Sequence, residues 1–75
     1  MSYVYRFEKA LSEDELNSLK MEHNYAIGLE IKMMTNEIKE QDPDAVITDI
    51  CHKVTDDFGI PGRHHLITIT IRSDR

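Results

Sequence analysis

Cys51-His52 and His64-His65 are the residues of this chain best equipped for chemistry, with His23 as a further candidate. Imidazole and thiolate groups are ligands for zinc, copper and iron. The order Cys-His followed by His-His does not match a standard zinc pattern, because adjacent residues on a helix or strand point in different directions. Cys51 falls on the apolar stripe of the helix expected over this segment and reads as a small buried hydrophobe, with His52 turned toward solvent. Of His64 and His65, at the start of a strand, only one can face inward. No metal or other cofactor is therefore expected. His52, His64 and His65 are the residues that a metal- or small-ligand-binding alternative would use.

Nucleophilic catalysis by Cys51 is not expected either. On a helix, His52 would point about 100° away from it, which makes it a poor base. Asp49, Asp56 and Asp57 surround the sulfur with negative charge, the opposite of the setting a thiolate needs. Gly59-Ile60-Pro61-Gly62 has the spelling of a GXXG clamp for nucleic-acid backbone, but its two central residues are apolar and a strand follows, so it reads as a turn. With no phosphate-cradling loop and no His-Glu-x-x-His helix, the chain is not expected to be an enzyme.

The acidic residues form three groups. Glu13-Asp14-Glu15 suits the first turn of a helix, and Asp42 and Asp44 flank Pro43 as caps. Asp56-Asp57 would lie at a helix end, where negative charge opposes the helix dipole by a few tenths of a kcal/mol. A pair set against local preference points to a partner. Asp56 and Asp57, with Asp42 and Asp44, are the expected partner-binding residues.

Several elements must position these groups. Residues 3–8 alternate, with Tyr3, Tyr5 and Phe7 on one face, and read as a strand. Ser12 and Glu15 form a capping-box pattern. From there Leu16, Leu19, His23, Ile27, Ile31, Met34 and Ile38 follow a helical period up to Asp42-Pro43. A second stripe, Met21, Tyr25, Leu29 and Met33, lies roughly opposite and is the expected dimer interface. Residues 25–33 also alternate as a strand would, but Glu, Lys, Met, Leu and Ala favour helix. Pro43 suits the start of a second helix, with Val46 or Ile47, Ile50, Cys51, Val54 and Phe58 as its apolar face and Gly59 as its stop. Residues 65–72 make the clearest strand, since Ile67 to Ile71 are all β-branched, with Ile67, Ile69 and Ile71 as core and Thr68 and Thr70 on the opposite face.

The expected architecture is a single α+β domain over residues 1–75, two-layered, in the order strand-helix-helix-strand with the terminal strands antiparallel. The alternative is strand-helix-strand-helix-strand with residues 25–33 as the middle strand. At 75 residues the chain buries only about 60% of its unfolded surface, and a two-stranded sheet is marginal alone. Both arguments predict a homodimer. The net charge of −5 is spread evenly, −3 over residues 1–37 and −2 over residues 38–75. No basic stripe is present, so direct nucleic-acid binding is not expected. The same charge disfavours an anionic membrane surface, and no apolar run reaches the ~20 residues a bilayer requires. The lone cysteine fits a reducing, cytoplasmic setting. The leading functional expectation is a small acidic, non-catalytic interaction or regulatory protein. It would bind and modulate a protein partner, for instance as an inhibitor that competes for a basic nucleic-acid-binding surface.

Overall fold

A computed structural model describes residues 2–56, 59 and 62–74. The order of elements is β1 (Tyr3–Ser12), α1 (Glu13–Ser18), α2 (His23–Gln41), β2 (Ala45–Thr55) and β3 (His64–Ser73). The three strands form one antiparallel sheet in the order β1-β3-β2. The chain is a small α+β domain, and its first and last strands pair antiparallel as expected, with Tyr3 opposite Ser73 and Ser12 opposite His64. No helix among the described residues is long and apolar enough to cross a membrane.

β3 carries the core. Ile67, Ile69 and Ile71 are each 0% exposed and face the helices. Leu11, Leu16, Ala26, Ile27, Met34, Ile38 and Ala45 close over them, with Tyr5, Phe7, Ile31 and Ile47 at the margin. A central strand flanked on both sides keeps its helix-facing β-branched residues fully covered, while Thr68 and Thr70 on the other face are half-buried. The opposite sheet face, including Arg6, Glu8 and Cys51, is open to solvent.

Three expectations are corrected. The long helix is broken at residues 19–22. α1 starts where expected, its Ser12 Oγ accepting from the Glu15 backbone N–H at 3.1 Å, but it ends at Ser18. Lys20 then takes a left-handed conformation (φ 54°), which turns the chain and costs a non-glycine residue about 1–2 kcal/mol. Residues 25–33 are helical, within α2, so the alternative middle strand is not there.

The second correction concerns residues 45–55, which form strand β2 and not a helix. The register shifts between Ile47 and Asp49. That bulge puts Ile47, Ile50 and Val54 on the helix-facing side, because one extra residue converts a spacing of two into three. The result imitates a helical stripe. Six of the eleven residues (Val46, Ile47, Thr48, Ile50, Val54 and Thr55) are β-branched, which suits the pleated sheet. Pro43 accordingly sits in a turn, not at a helix start. The third correction follows from the second: Cys51 lies opposite Thr68 and is exposed, not buried. Phe58 falls outside the described residues.

Candidate functional site

The polar centre of the molecule lies at the His65 end of β3. His65 shares the helix-facing side with the three isoleucines and is 6% exposed. Leu11 and Val54 oppose it on the two neighbouring strands. His64, one residue earlier, faces the other way, and its Nδ1 lies 3.0 Å from the Gly62 carbonyl.

Two helix beginnings arrive above His65. Glu13 is the first residue of α1, and its backbone N–H donates to the Arg63 carbonyl at 2.9 Å, tying α1 to the entry of β3. His23 is the first residue of α2. In one straight helix these two residues would stand about 15 Å apart along the axis. The turn at Lys20 instead brings His23 Nδ1 to 3.2 Å from Glu13 Oε1. On the other side of the carboxylate, His65 Nε2 lies 2.6 Å from Glu13 Oε2. The ligand atoms of Glu13, His23 and His65 all lie within 4.8 Å of one another.

Each imidazole is held from behind. Asn17 Oδ1 lies 3.0 Å from His23 Nε2. A carbonyl oxygen only accepts, so this nitrogen of His23 carries the hydrogen and Nδ1 is left facing Glu13. His52, on the helix-facing side of β2, places its Nε2 at 2.9 Å from His65 Nδ1. The two rings are nearly parallel, 14° apart in plane, with centroids separated by 5.1 Å. Burial, and then the charge of His65, lower the pKa of His52. With Glu13 accepting from His65 Nε2–H, a neutral His65 accepts at Nδ1 from His52 Nε2–H, so the two contacts form one relay from His52 through His65 to Glu13.

The carboxyl of Glu13 is held below the usual carboxylate range, first by the hydrogen bond from His65. Burial opposes this, and the charges of His23, His65 and Arg63 reinforce it. The group is therefore an anion at neutral pH. A carboxylate and an imidazole lone pair repel unless a proton or a metal ion lies between them. With both outer ring nitrogens occupied, His23 Nδ1, His65 Nε2 and the Glu13 carboxylate face one another, and a metal ion could join them once it displaces the proton between His65 and Glu13. Ligands at about 2.0–2.1 Å from a tetrahedral zinc stand roughly 3.3 Å apart; the His23–Glu13 contact is already near that spacing at 3.2 Å, and the His65–Glu13 contact, at 2.6 Å, would have to open to admit an ion.

Of the histidines named from the sequence, the fold brings His52 and His65 together and leaves His64 on the other face. His23, a further candidate there, joins them. Glu13 and Asn17 carry no signal of this role in the sequence: Glu13 reads as a helix-start acid, and nothing marks Asn17. Among the acidic residues, Asp42 is buried (5% exposed), and the Tyr5 hydroxyl donates to its Oδ2 at 3.1 Å. Asp44 is exposed. Asp56 follows a strand, not a helix, so the dipole argument for it lapses; its carboxylate meets Arg63 at 3.3 Å. Asp57 lies outside the described residues. Met21, Tyr25, Leu29 and Met33 are 38%, 61%, 39% and 62% exposed. Met21 stands in the turn before α2, not on the helix.

No protein family, curated protein or solved structure matches the chain.

Proposed function

We propose that this chain is a small binding protein for one divalent transition-metal ion of the zinc class, held by Glu13, His23 and His65. The observation that supports this is the pair of outer hydrogen bonds, Asn17 to His23 and His52 to His65. Histidine ligands characteristically give their second nitrogen to such a partner, which fixes the tautomer and the ring orientation. A cluster of surface histidines needs no such supports. Two imidazoles and one carboxylate are a zinc donor set that leaves a fourth position for water or another ligand. The role is binding, without an assigned reaction. The protein-partner role expected from the charge balance has less behind it. Asp42 is inside the fold, and Asp56, though its side chain is 73% exposed, already pairs with Arg63, so Asp44 and Asp56 are the open carboxylates of the four among the described residues.

Calorimetric titration of zinc into chelator-stripped protein tests the reading. One ion per chain is expected, and cobalt should give the visible absorption of a low-coordinate nitrogen and oxygen site. Glu13→Gln and His23→Gln should each weaken binding at least about 100-fold, beyond the roughly 10- to 100-fold loss caused by removing an orienting partner. Cys51→Ser, on the open sheet face, should leave binding unchanged. Absence of saturable binding by the wild type, or full affinity in Glu13→Gln, refutes the proposal.

A further inference from the structure

The free edge of β1 supports a second inference, independent of the metal site. β1 is an edge strand, ten residues long, with no bulge and no proline. Such an edge invites pairing unless something blunts it. β2, the other edge, is interrupted by its register shift between Ile47 and Asp49. Both edges carry exposed apolar side chains, Tyr3 and Val4 on β1 (48% and 68% exposed) and Val46, Ile50 and Val54 on β2, but only β1 presents an unbroken ladder. A groove of about 320 Å³ runs between β1 and α2, bordered by Phe7, Lys9, Glu30, Met33 and Glu37. A second groove, of about 350 Å³, continues past Lys9 toward Leu11, Leu16 and Leu19. The Lys9–Glu30 ion pair separates the two.

The sequence of β1 identifies what fits there. Placed antiparallel to a copy of itself about Phe7, the strand sets Arg6 opposite Glu8 of the second copy and Glu8 opposite its Arg6. Both pairs lie on the open sheet face, where Thr70 and Thr68 stand opposite Arg6 and Glu8 on β3. On the helix-facing side Phe7 meets Phe7, Tyr5 meets Lys9 and Tyr3 meets Leu11. Val4 faces Ala10. Shifting the register by two residues destroys both charge pairs. We propose that a second copy of this chain occupies the β1 edge in this register, giving a six-stranded sheet with β2 at each end and all helices on one face. Of the four stripe residues, Met33 borders the groove beside the seam.

Charge reversal tests both the partner and the register. Arg6→Glu places two like-charge contacts across the two-fold axis, and so does Glu8→Arg. Each should weaken the dimer roughly tenfold, since like charges directly opposite are destabilising. The combined Arg6→Glu and Glu8→Arg form should recover wild-type association, measured by sedimentation. All three forms should keep the wild-type melting profile of the monomer, because Arg6 and Glu8 are exposed and face threonines. In a Cys51→Ser background, mixing Arg6→Cys with Glu8→Cys should give a disulfide dimer under mild oxidation. Either variant alone should give little, because its thiols are diagonal at about 7–8 Å. A wild type that stays monomeric at about 100 µM overturns the proposal. So does a double reversal that fails to restore association. Rapid oxidation of wild-type protein to a Cys51-linked dimer would place the contact on β2 instead.

Discussion

The two halves of β3 solve opposite problems on the same side of one strand. From Ile67 to Ile71 the helix-facing residues are isoleucines with no exposure, and the helices press apolar side chains onto them. Two residues earlier His65 is buried almost as completely, but what meets it is Glu13, His52 and, edge-on at 6.0 Å, the ring of His23. The dry half needs only shape and volume. The polar half needs a partner for each nitrogen, because an unpaired buried polar group costs about 1–3 kcal/mol. Those partners come from the beginnings of two helices and from a neighbouring strand. The first half is therefore robust to chain details elsewhere, whereas the second depends on the turn at Lys20.

The largest effect expected on breaking this contrast is in the dry half. Ile69→Ala should cost about 2–5 kcal/mol, seen as a large fall in denaturant midpoint, with metal affinity unchanged in whatever fraction remains folded. An unchanged midpoint would show that the isoleucine face is not the core. The polar half should behave the other way. Asn17→Ala should lower zinc affinity about tenfold or more through loss of the His23 orienting bond, while the unfolding midpoint of the metal-free protein moves little, since Asn17 is exposed. Equal losses of stability and affinity would mean that Asn17 merely supports the fold.

The dry half and its strand pairing were legible in sequence. Five consecutive β-branched residues marked β3, alternation marked β1, and Ser12 with Glu15 marked the start of α1. Asp42-Pro43 marked the end of α2. β2 was not legible, because a helix stripe and a bulged strand place apolar residues at the same spacings, and only its β-branched content argued for the strand. The break at residues 19–22 carries no glycine or proline, so periodicity ran straight through it. That concealed the site as well. His65 and His52 could be named as candidate ligands, but the meeting of Glu13 and His23 exists only once the helix is broken.

Lys20→Gly probes that break directly. Glycine removes the steric penalty of the left-handed conformation at some cost in chain entropy, and a net gain of about 0.5–1 kcal/mol is expected in the melting curve. Zinc affinity should hold or rise, because the turn that delivers His23 is then better fixed. A loss of stability would indicate that the Lys20 side chain contributes more than its backbone costs.

The smallest effect is the pH dependence of the metal-free protein. His52 has its folded pKa lowered from 6.5, so the unfolded chain takes up that proton first as pH falls, and stability declines below about neutrality. Glu13 is also lowered, from 4.5, so its stabilising contribution is present above that value and disappears as pH falls through the lower folded one. Both signs make the polar half the acid-sensitive one. Denaturant midpoints measured across this range should fall with acidity, and His52→Ala should flatten the decline between about pH 7 and 5.

The central position of β3 has a consequence for the order of folding. β3 follows every other element along the chain, and both β1 and β2 find their only sheet partner in it, among the described residues. During synthesis, at about 5–20 residues per second, the helices can form as they emerge, but neither outer strand has anything to pair with. Every ladder contact waits for residues 64–73, and the β1 ladder then joins positions as far apart as Tyr3 and Ser73. Topologies dominated by such distant pairings fold slowly for their size. Until that last segment arrives, the aromatic face of β1 is held in a nascent chain with no sheet to protect it.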